Sequence, residues 1–202
     1  MIIVDCVQGT EEWFKIKAGL PSASNFDKII TTKGEPSKQS QKYLYQLAGE
    51  KITGLKDATF QSEAMDRGIE LEAEARQFYE MVRDCKVDQV GLCIHDKKRY
   101  SCSPDGLVGE DGLLEIKCPL IATQVGYLLD GEVPTDYFQQ VQGQLLVTGR
   151  KWCDFVSYYP GLKPLIVRVM PDPGFIQKLE IELETFCNRL EDVIKKIQWG
   201  DL

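Results

Sequence analysis

SPDGLVGEDGLLEIKCP, residues 103–119, is the stretch on which the reading of this chain turns. Within it GLLEIK carries Leu113, Leu114 and Ile116 and reads as a strand. Gly109-Glu110-Asp111-Gly112 just before it has the residue types a hairpin turn requires. Side chains alternate between the two faces of a strand. Glu115 and Lys117 therefore share one face, and Leu114 and Ile116 share the other. Asp105 stands immediately ahead of the first strand of the hairpin, so closing the hairpin carries its carboxylate toward Glu115. Two carboxylates and one ammonium then converge on one spot.

Composition bounds what such a spot can belong to. A chain of 202 residues is long enough for one domain, residues 1–202, with a real core. Its 43% hydrophobic and 27% charged residues are those of an ordinary soluble globular protein. No apolar run reaches the ~20 residues that a membrane span needs, so no membrane partner is expected. The N-terminal MIIVDCVQGTEEW has no basic region and its apolar run breaks at Asp5, which argues against a signal peptide. Seven cysteines, an odd number with no C-x-x-C pair, read as reduced thiols in a cytoplasmic protein. The net charge of −7 excludes a uniformly basic surface for a polyanion. A local basic groove stays open, because the field depends on where the charges lie.

The pattern of elements is mixed. Residues 10–18 read as a helix with Thr10 as N-cap and two glutamates in the first turn. A second helix is expected from Ser22 to Thr31, then a turn-rich, mobile loop over 31–40. Helical periodicity covers 40–53, 61–83, 121–129, 135–148 and 172–198. Strands are expected at 87–95, 98–102, 106–109, 112–117, 152–159 and 164–170. Helices before and after a cluster of strands suggest a single mixed sheet with helices packed on it, an α/β (α+β) domain.

The group of Asp105, Glu115 and Lys117 carries the strongest chemical signal. A hard cation such as Mg²⁺ takes oxygen ligands, usually one or two carboxylates with water completing the shell. A lysine beside it orients an attacking water or stabilises charge on a phosphate. Phosphodiester hydrolysis suits this set. An exposed ion pair on an edge strand has the same Glu-x-Lys spacing, and spacing alone does not separate the two.

Four blocks, in order, decide between them. EEWFKIKAGLPSAS (11–24), RGIELEAEAR (67–76), SPDGLVGEDGLLEIKCP (103–119) and QVQGQLLVTGRKWCDFVSYYP (140–160) together resemble the phage lambda exonuclease and YqaJ-type viral recombinase group. That group is a branch of the PD-(D/E)xK nuclease superfamily. The resemblance implies a restriction-endonuclease-like fold, a central mixed sheet flanked by helices. It also implies a Mg²⁺-dependent exonuclease, with a pair of ions for which Mn²⁺ can substitute. Such an enzyme digests one strand of linear duplex DNA from the 5′ end and leaves a 3′ overhang for recombination. A homotrimeric ring, a single-strand annealing protein as partner, and a phage or prophage origin in a bacterial cytoplasm are further implications.

The resemblance also assigns roles. Asp105, Glu115 and the carbonyl of Ile116 would bind metal, with Glu72 completing the site directly or through water. Lys117 would meet the attacking water and the scissile phosphate, and Gln140 would support it or the metal-bound water. Ser24, Ser103 and Lys17 match a 5′-phosphate pocket, although the family's arginine is replaced by Lys17 here. Lysine supplies charge without the planar two-pronged grip of arginine. Met65 matches a position that presses on the duplex end.

Several of these choices remain open from the residues themselves. Lys15 and Lys17 are close enough in sequence for either to serve. On the helix over 61–83 the apolar stripe is Ala64, Leu71, Ala75, Phe78 and Val82, and periodicity does not choose between Glu72 and Glu74 on its flanks. On the helix over 135–148, Phe138, Val141 and Leu145 make the core stripe, and Gln142 lies nearer to it than Gln140. Three glutamines in five residues usually face water. Lone His95 reads as the end of a strand. Lys33, Lys38 and Lys42 fit either a phosphate-contacting run or a solvated one. An endonuclease of the same superfamily and a non-catalytic DNA-binding module are the alternatives. An iron–sulfur nuclease would need four clustered cysteines, which the chain lacks.

Overall fold

The hairpin forms in the computed structural model, which describes residues 1–55 and 63–199, with 63–66 and 199 described by backbone alone. In chain order the elements are β1 (Ile2–Val4), α1 (Glu11–Lys17), 3₁₀ turns over Ala23–Lys28, α2 (Ser40–Thr53) and α3 (Glu63–Arg83). Then come β2 (Val87–Asp88), β3 (Leu92–Ile94), β4 (Ser101–Cys102), β5 (Gly106–Val108) and β6 (Gly112–Lys117). The chain closes with α4 (Ile121–Asp130), a 3₁₀ turn at Thr135–Tyr137, α5 (Phe138–Thr148), β7 (Trp152–Ser157), β8 (Leu165–Val169) and α6 (Pro173–Trp199).

β5 and β6 pair antiparallel, Gly106 opposite Leu114 and Val108 opposite Gly112. Gly109 takes a φ of +55° in the turn, a conformation other residues rarely adopt. Arg150 holds this turn from outside, donating to the carbonyls of Gly109 (2.8 Å) and Gly112 (2.7 Å).

The central sheet is mixed, in the order β2-β5-β6-β7-β8. Its one parallel pair is β6 with β7, and that pairing requires the long crossover that α4 and α5 supply. The expected single sheet is corrected here: β1, β3 and β4 form a separate antiparallel sheet. The expected strand over 87–95 splits at Gly91, where an added Cβ would sit 2.0 Å from the Cys6 carbonyl oxygen. The chain before Gly91 joins the central sheet and the chain after it joins the small one. The stretch over 22–31 forms short 3₁₀ turns broken at Asn25 instead of one helix. The expected mobile loop over 31–40 is a hydrogen-bonded turn, with Thr31 N on Glu35 O (2.8 Å) and Ser37 N on Ile29 O (2.8 Å).

The two faces of β6 divide the interior as the alternation requires. Leu114 and Ile116 pack with Val108, Val156, Ala75 and Tyr79, so α3 covers that face. Leu113 packs with Leu107, Cys153, Phe155, Val141 and Leu145, so α5 covers the other. A third cluster joins Phe26, Ile29 and Ile30 to α2 and to the Phe175, Leu179, Leu183, Phe186 stripe of α6. Among the described residues no helix is long and apolar enough to cross a membrane.

On α5 the expected stripe of Phe138, Val141 and Leu145 packs in the core, but α3 departs from its stripe and the α5 glutamines from their expected exposure. On α3 Tyr79 is fully buried while Val82 is 50% exposed, so the buried face is turned toward the side that carries Glu72. On α5 the glutamines are not solvated: Gln139, Gln142 and Gln144 are buried and Gln140 is half-buried. The helix is enclosed on two sides, by the sheet and by the 3₁₀ turns, so its amides must find partners. Gln139 donates to Ile30 O (3.2 Å). Gln142 donates to Met170 O (3.0 Å) and accepts from Asp172 N (2.8 Å). The remaining two reach the site below.

The close approach that encloses α5 is made at Gly143, where an added Cβ would lie 2.4 Å from Cδ2 of the buried Phe26 ring. Gly143→Ala gains up to about 1 kcal/mol in helix propensity but overpacks the core, at about 1–3 kcal/mol. It should therefore lower the melting temperature. A melting curve at or above wild type would show that Phe26 moves aside freely.

Candidate active site

Toward the end of β6 the ladder continues to β7, but on the β5 side it gives way to side chains. Asp105 N donates to Leu114 O (3.1 Å), continuing the pairing one residue beyond β5. Its carboxylate Oδ2 then accepts from Ile116 N (2.6 Å), taking the place of a strand partner. Alternation along β6 turns the Ile116 carbonyl to the same side. On the α5 face lies Glu115, 1% exposed, and both its oxygens are engaged. Oε1 accepts from Lys117 Nζ and from Gln140 Nε2 (2.5 Å), and Oε2 accepts from Gln144 Nε2 (2.5 Å). Lys117 also lies 5.1 Å from the centre of the Tyr137 ring.

The electrostatics of this group are those of excess negative charge. Burial and the charge of Glu115 push the Asp105 carboxyl well above the usual carboxylate range; Lys117 opposes them, and Glu72 adds to the rise. Burial alone would lower the Lys117 ammonium, but Glu115 and Asp105 outweigh it and hold it above the usual lysine range. Two carboxylates against one ammonium leave a site that a hard cation would neutralise. Among the described residues no three acidic, His or Cys side chains are grouped closely enough to enclose an ion unaided. Two carboxylates and one carbonyl, with water for the rest, nevertheless match the way Mg²⁺ is commonly held. The donor set therefore fits that ion.

Glu72 is paired with Arg76 on the next turn of α3 and acts on Asp105 by charge, without joining it in a tight cluster. Glu74, the alternative on that helix, instead accepts from Tyr158 Oη (2.5 Å). Of the two glutamates, it is thus Glu72 whose charge reaches Asp105, while Glu74 is engaged by Tyr158.

Lys17 and Ser103 meet at Trp13. The Lys17 ammonium lies 4.3 Å from the centre of the Trp13 ring, and Trp13 Nε1 donates to Ser103 Oγ (3.2 Å) and Gly91 O (3.0 Å). Lys15 is paired with Glu11 (2.7 Å) on the exposed side of α1, which separates the two lysines. Ser24 is exposed on the 3₁₀ turns and makes its hydrogen bonds with Ser22 and Asn25. The side chain of Met65 lies outside the described residues. His95 stacks on Tyr100 at 4.6 Å, as the end of a strand would.

Three contacts were not foreseen from the sequence: Gln144 on Glu115, Tyr137 beside Lys117, and Arg76 on Glu72. Gln144 and Arg76 each stand four residues after a candidate residue on the same helix, and that spacing was the available signal. Tyr137 belongs to a 3₁₀ turn and had none.

Comparison with known proteins gives the family and the fold. Residues 12–151 match the YqaJ-like viral recombinase domain. The chain belongs to this family. An alkaline exonuclease from Laribacter hongkongensis, LHK-Exo, is 36% identical with a TM-score of 0.86, over 94% of this chain and 96% of that one. Its complex with dAMP superposes as well, at a TM-score of 0.85. A phage-related exonuclease from Haemophilus somnus 129PT, 14% identical, shares the fold at a TM-score of 0.70, over 89% of this chain and 96% of that one. A comparison with curated protein sequences gave no significant match. The family's fold is the PD-(D/E)xK type expected from residues 103–119.

The raised carboxyl of Asp105 has a consequence for the metal-free protein. An acid whose folded pKa lies above its unfolded value contributes stability at low pH that is lost as pH rises through the folded value. Asp105→Asn keeps an acceptor for Ile116 N and removes the repulsion. In chelator it should melt a few degrees above wild type at neutral pH, with the difference shrinking as pH falls. Equal melting temperatures across that range would contradict the charge balance described here.

Proposed function

We propose that the chain is a Mg²⁺-dependent exonuclease that degrades one strand of linear duplex DNA from its 5′ end. It would release 5′-mononucleotides and leave a 3′ single-stranded overhang for phage-type recombination. The observation that carries this reading is the buried Glu115 carboxylate, shared by Lys117, Gln140 and Gln144 beside Asp105. Family membership supports it, as does the 36% identity to LHK-Exo, an alkaline exonuclease solved with dAMP.

Asp105, Glu115 and the Ile116 carbonyl would hold Mg²⁺, with Glu72 contributing through water and Mn²⁺ able to substitute. Bound as a pair, such ions supply positive charge to the attacking and leaving oxygens of a phosphodiester. The chain's own residues do the rest. Lys117, kept charged by Glu115 and Asp105, presents its ammonium to the attacking water and the scissile phosphate. Gln140 fixes the Glu115 oxygen that Lys117 shares. Lys17, Ser24 and Ser103 receive the terminal 5′-phosphate, and Met65 meets the end of the duplex. A homotrimeric ring would confine DNA by topology, so only its channel need be basic. A single-strand annealing protein would take up the overhang, in the cytoplasm of a bacterial host.

The test is digestion of linear duplex carrying 5′-phosphate or 5′-hydroxyl ends, with and without Mg²⁺, against covalently closed plasmid. Linear duplex should be shortened only with the metal, and plasmid should survive. Cutting of closed plasmid would favour an endonuclease, and no metal-dependent product would favour a binding module. Asp105→Ala and Glu115→Ala should abolish cutting. Lys117→Ala should lose about 10²–10³ in rate, the range for one preorganised electrostatic contact, while DNA binding survives. Near wild-type turnover in any of the three would overturn the site.

End recognition and assembly are measured separately. A 5′-hydroxyl end should be cut more slowly than a 5′-phosphate end, and Lys17→Ala should remove that difference. Wild-type enzyme that treats both ends alike would show the pocket to be misassigned. Sedimentation without DNA should give a trimer, and a monomer would remove the ring.

A further inference from the structure

Helix α5 gives two amides to one carboxylate, and their settings differ. Gln140 and Gln144 stand one turn apart on the same helix face. Gln140 is half-buried and shares Glu115 Oε1 with Lys117. Gln144 is 1% exposed and holds Oε2 from behind, at 2.5 Å. The helix that carries it has little room to move. Val141 and Leu145 are buried against Leu113 and Phe155, and Gly143 is set against the Phe26 ring.

We infer that Gln144 is a positioning residue for the cation site. It anchors Oε2 and so fixes the direction of Oε1, the oxygen that Lys117 and Gln140 share and that would face the ion. A carboxylate on a rotatable side chain loses conformational freedom when an ion captures it. With Oε2 tied to a rigid helix, that ordering is complete before any ion binds. Partners of this kind around a ligand typically set about 10–100-fold in metal affinity. This role rests on the nuclease reading of the same site, and it assigns Gln144 a share of cation affinity, leaving the chemistry to Lys117.

The experiment measures Mn²⁺ binding to the full chain without DNA, by electron paramagnetic resonance of the free ion. The variants are Gln144→Met, which keeps the length and removes the donor, and Gln142→Met as control. Gln142 is equally buried and hydrogen-bonded on the same helix, but to Met170 and Asp172. Gln144→Met should bind Mn²⁺ about 10–100-fold more weakly than wild type. Gln142→Met should lose thermal stability with its affinity unchanged. In nuclease assays Gln144→Met should need more Mg²⁺ for half-maximal rate and approach the wild-type maximum at saturation. Should Gln144→Met not fold, Gln144→Asn, whose amide falls one methylene short, should show the same weakening. Wild-type binding with unchanged affinity in the Gln144 variant would overturn the positioning role alone, as would equal losses in both glutamine variants. Wild-type protein that binds no Mn²⁺ would overturn the cation reading and this role with it.

Discussion

A carboxylate withdrawn from water is costly unless donors meet its oxygens. Glu115 is such a carboxylate, and much of the surrounding structure follows from accommodating it. Its strand is central to the mixed sheet and its own backbone pairs with β7, so only the side chain needs partners. Those partners come from its own strand, through Lys117, and from the helix that crosses its face, through Gln140 and Gln144. The crossover between β6 and β7 is thus more than a connection. The parallel pairing demands a long excursion, and the excursion delivers the amides that let a charge stay inside.

The same constraint explains a helix that looks wrong by composition. A glutamine-rich stretch ordinarily faces water, yet α5 is enclosed by the sheet on one side and the 3₁₀ turns on the other. Each glutamine has a separate duty. Gln139 ties the helix to Ile30, Gln142 ties it to the turn before α6, and the other two serve Glu115. Gly143 permits the close packing because it presents no side chain to Phe26. Polar residues here lock the position of a helix whose exact placement sets the geometry of the site.

How much of this was legible in the sequence follows from the range of each signal. The hairpin at residues 106–117 and the sharing of one face by Glu115 and Lys117 depend on turn chemistry and a period of two, both local, and both were read directly. Which of Glu72 and Glu74 lies toward Asp105 depends on the rotation of α3, and Tyr79 ties that helix to Asp154 (2.8 Å), 75 residues away. The second sheet depends on the tight crossing of Cys6 and Gly91, also distant in sequence. Gln144 was missed because amide composition suggested solvent, and only the tertiary enclosure of α5 reverses that. Lys17 was separable from Lys15 only once Trp13 was seen to lie beneath it and Glu11 beside its neighbour.

Net charge is a weak guide to such a surface, and the fold shows why. Much of the acidity of α6 is spent on neighbours: Glu184 pairs with Lys97 and Arg99, and Glu191 also pairs with Arg99. Those charges tie the β3–β4 hairpin to α6 and do not oppose a ligand at β6. What does oppose an incoming phosphate is local, the pair of Asp105 and Glu115 against the single ammonium of Lys117. The cation Lys17 lies over Trp13, whose indole N–H donates to Ser103 Oγ. A cation held between the two carboxylates would turn the repulsion into attraction. The overall charge of −7 says nothing about that reversal, which is decided within one turn of hairpin and one turn of α5.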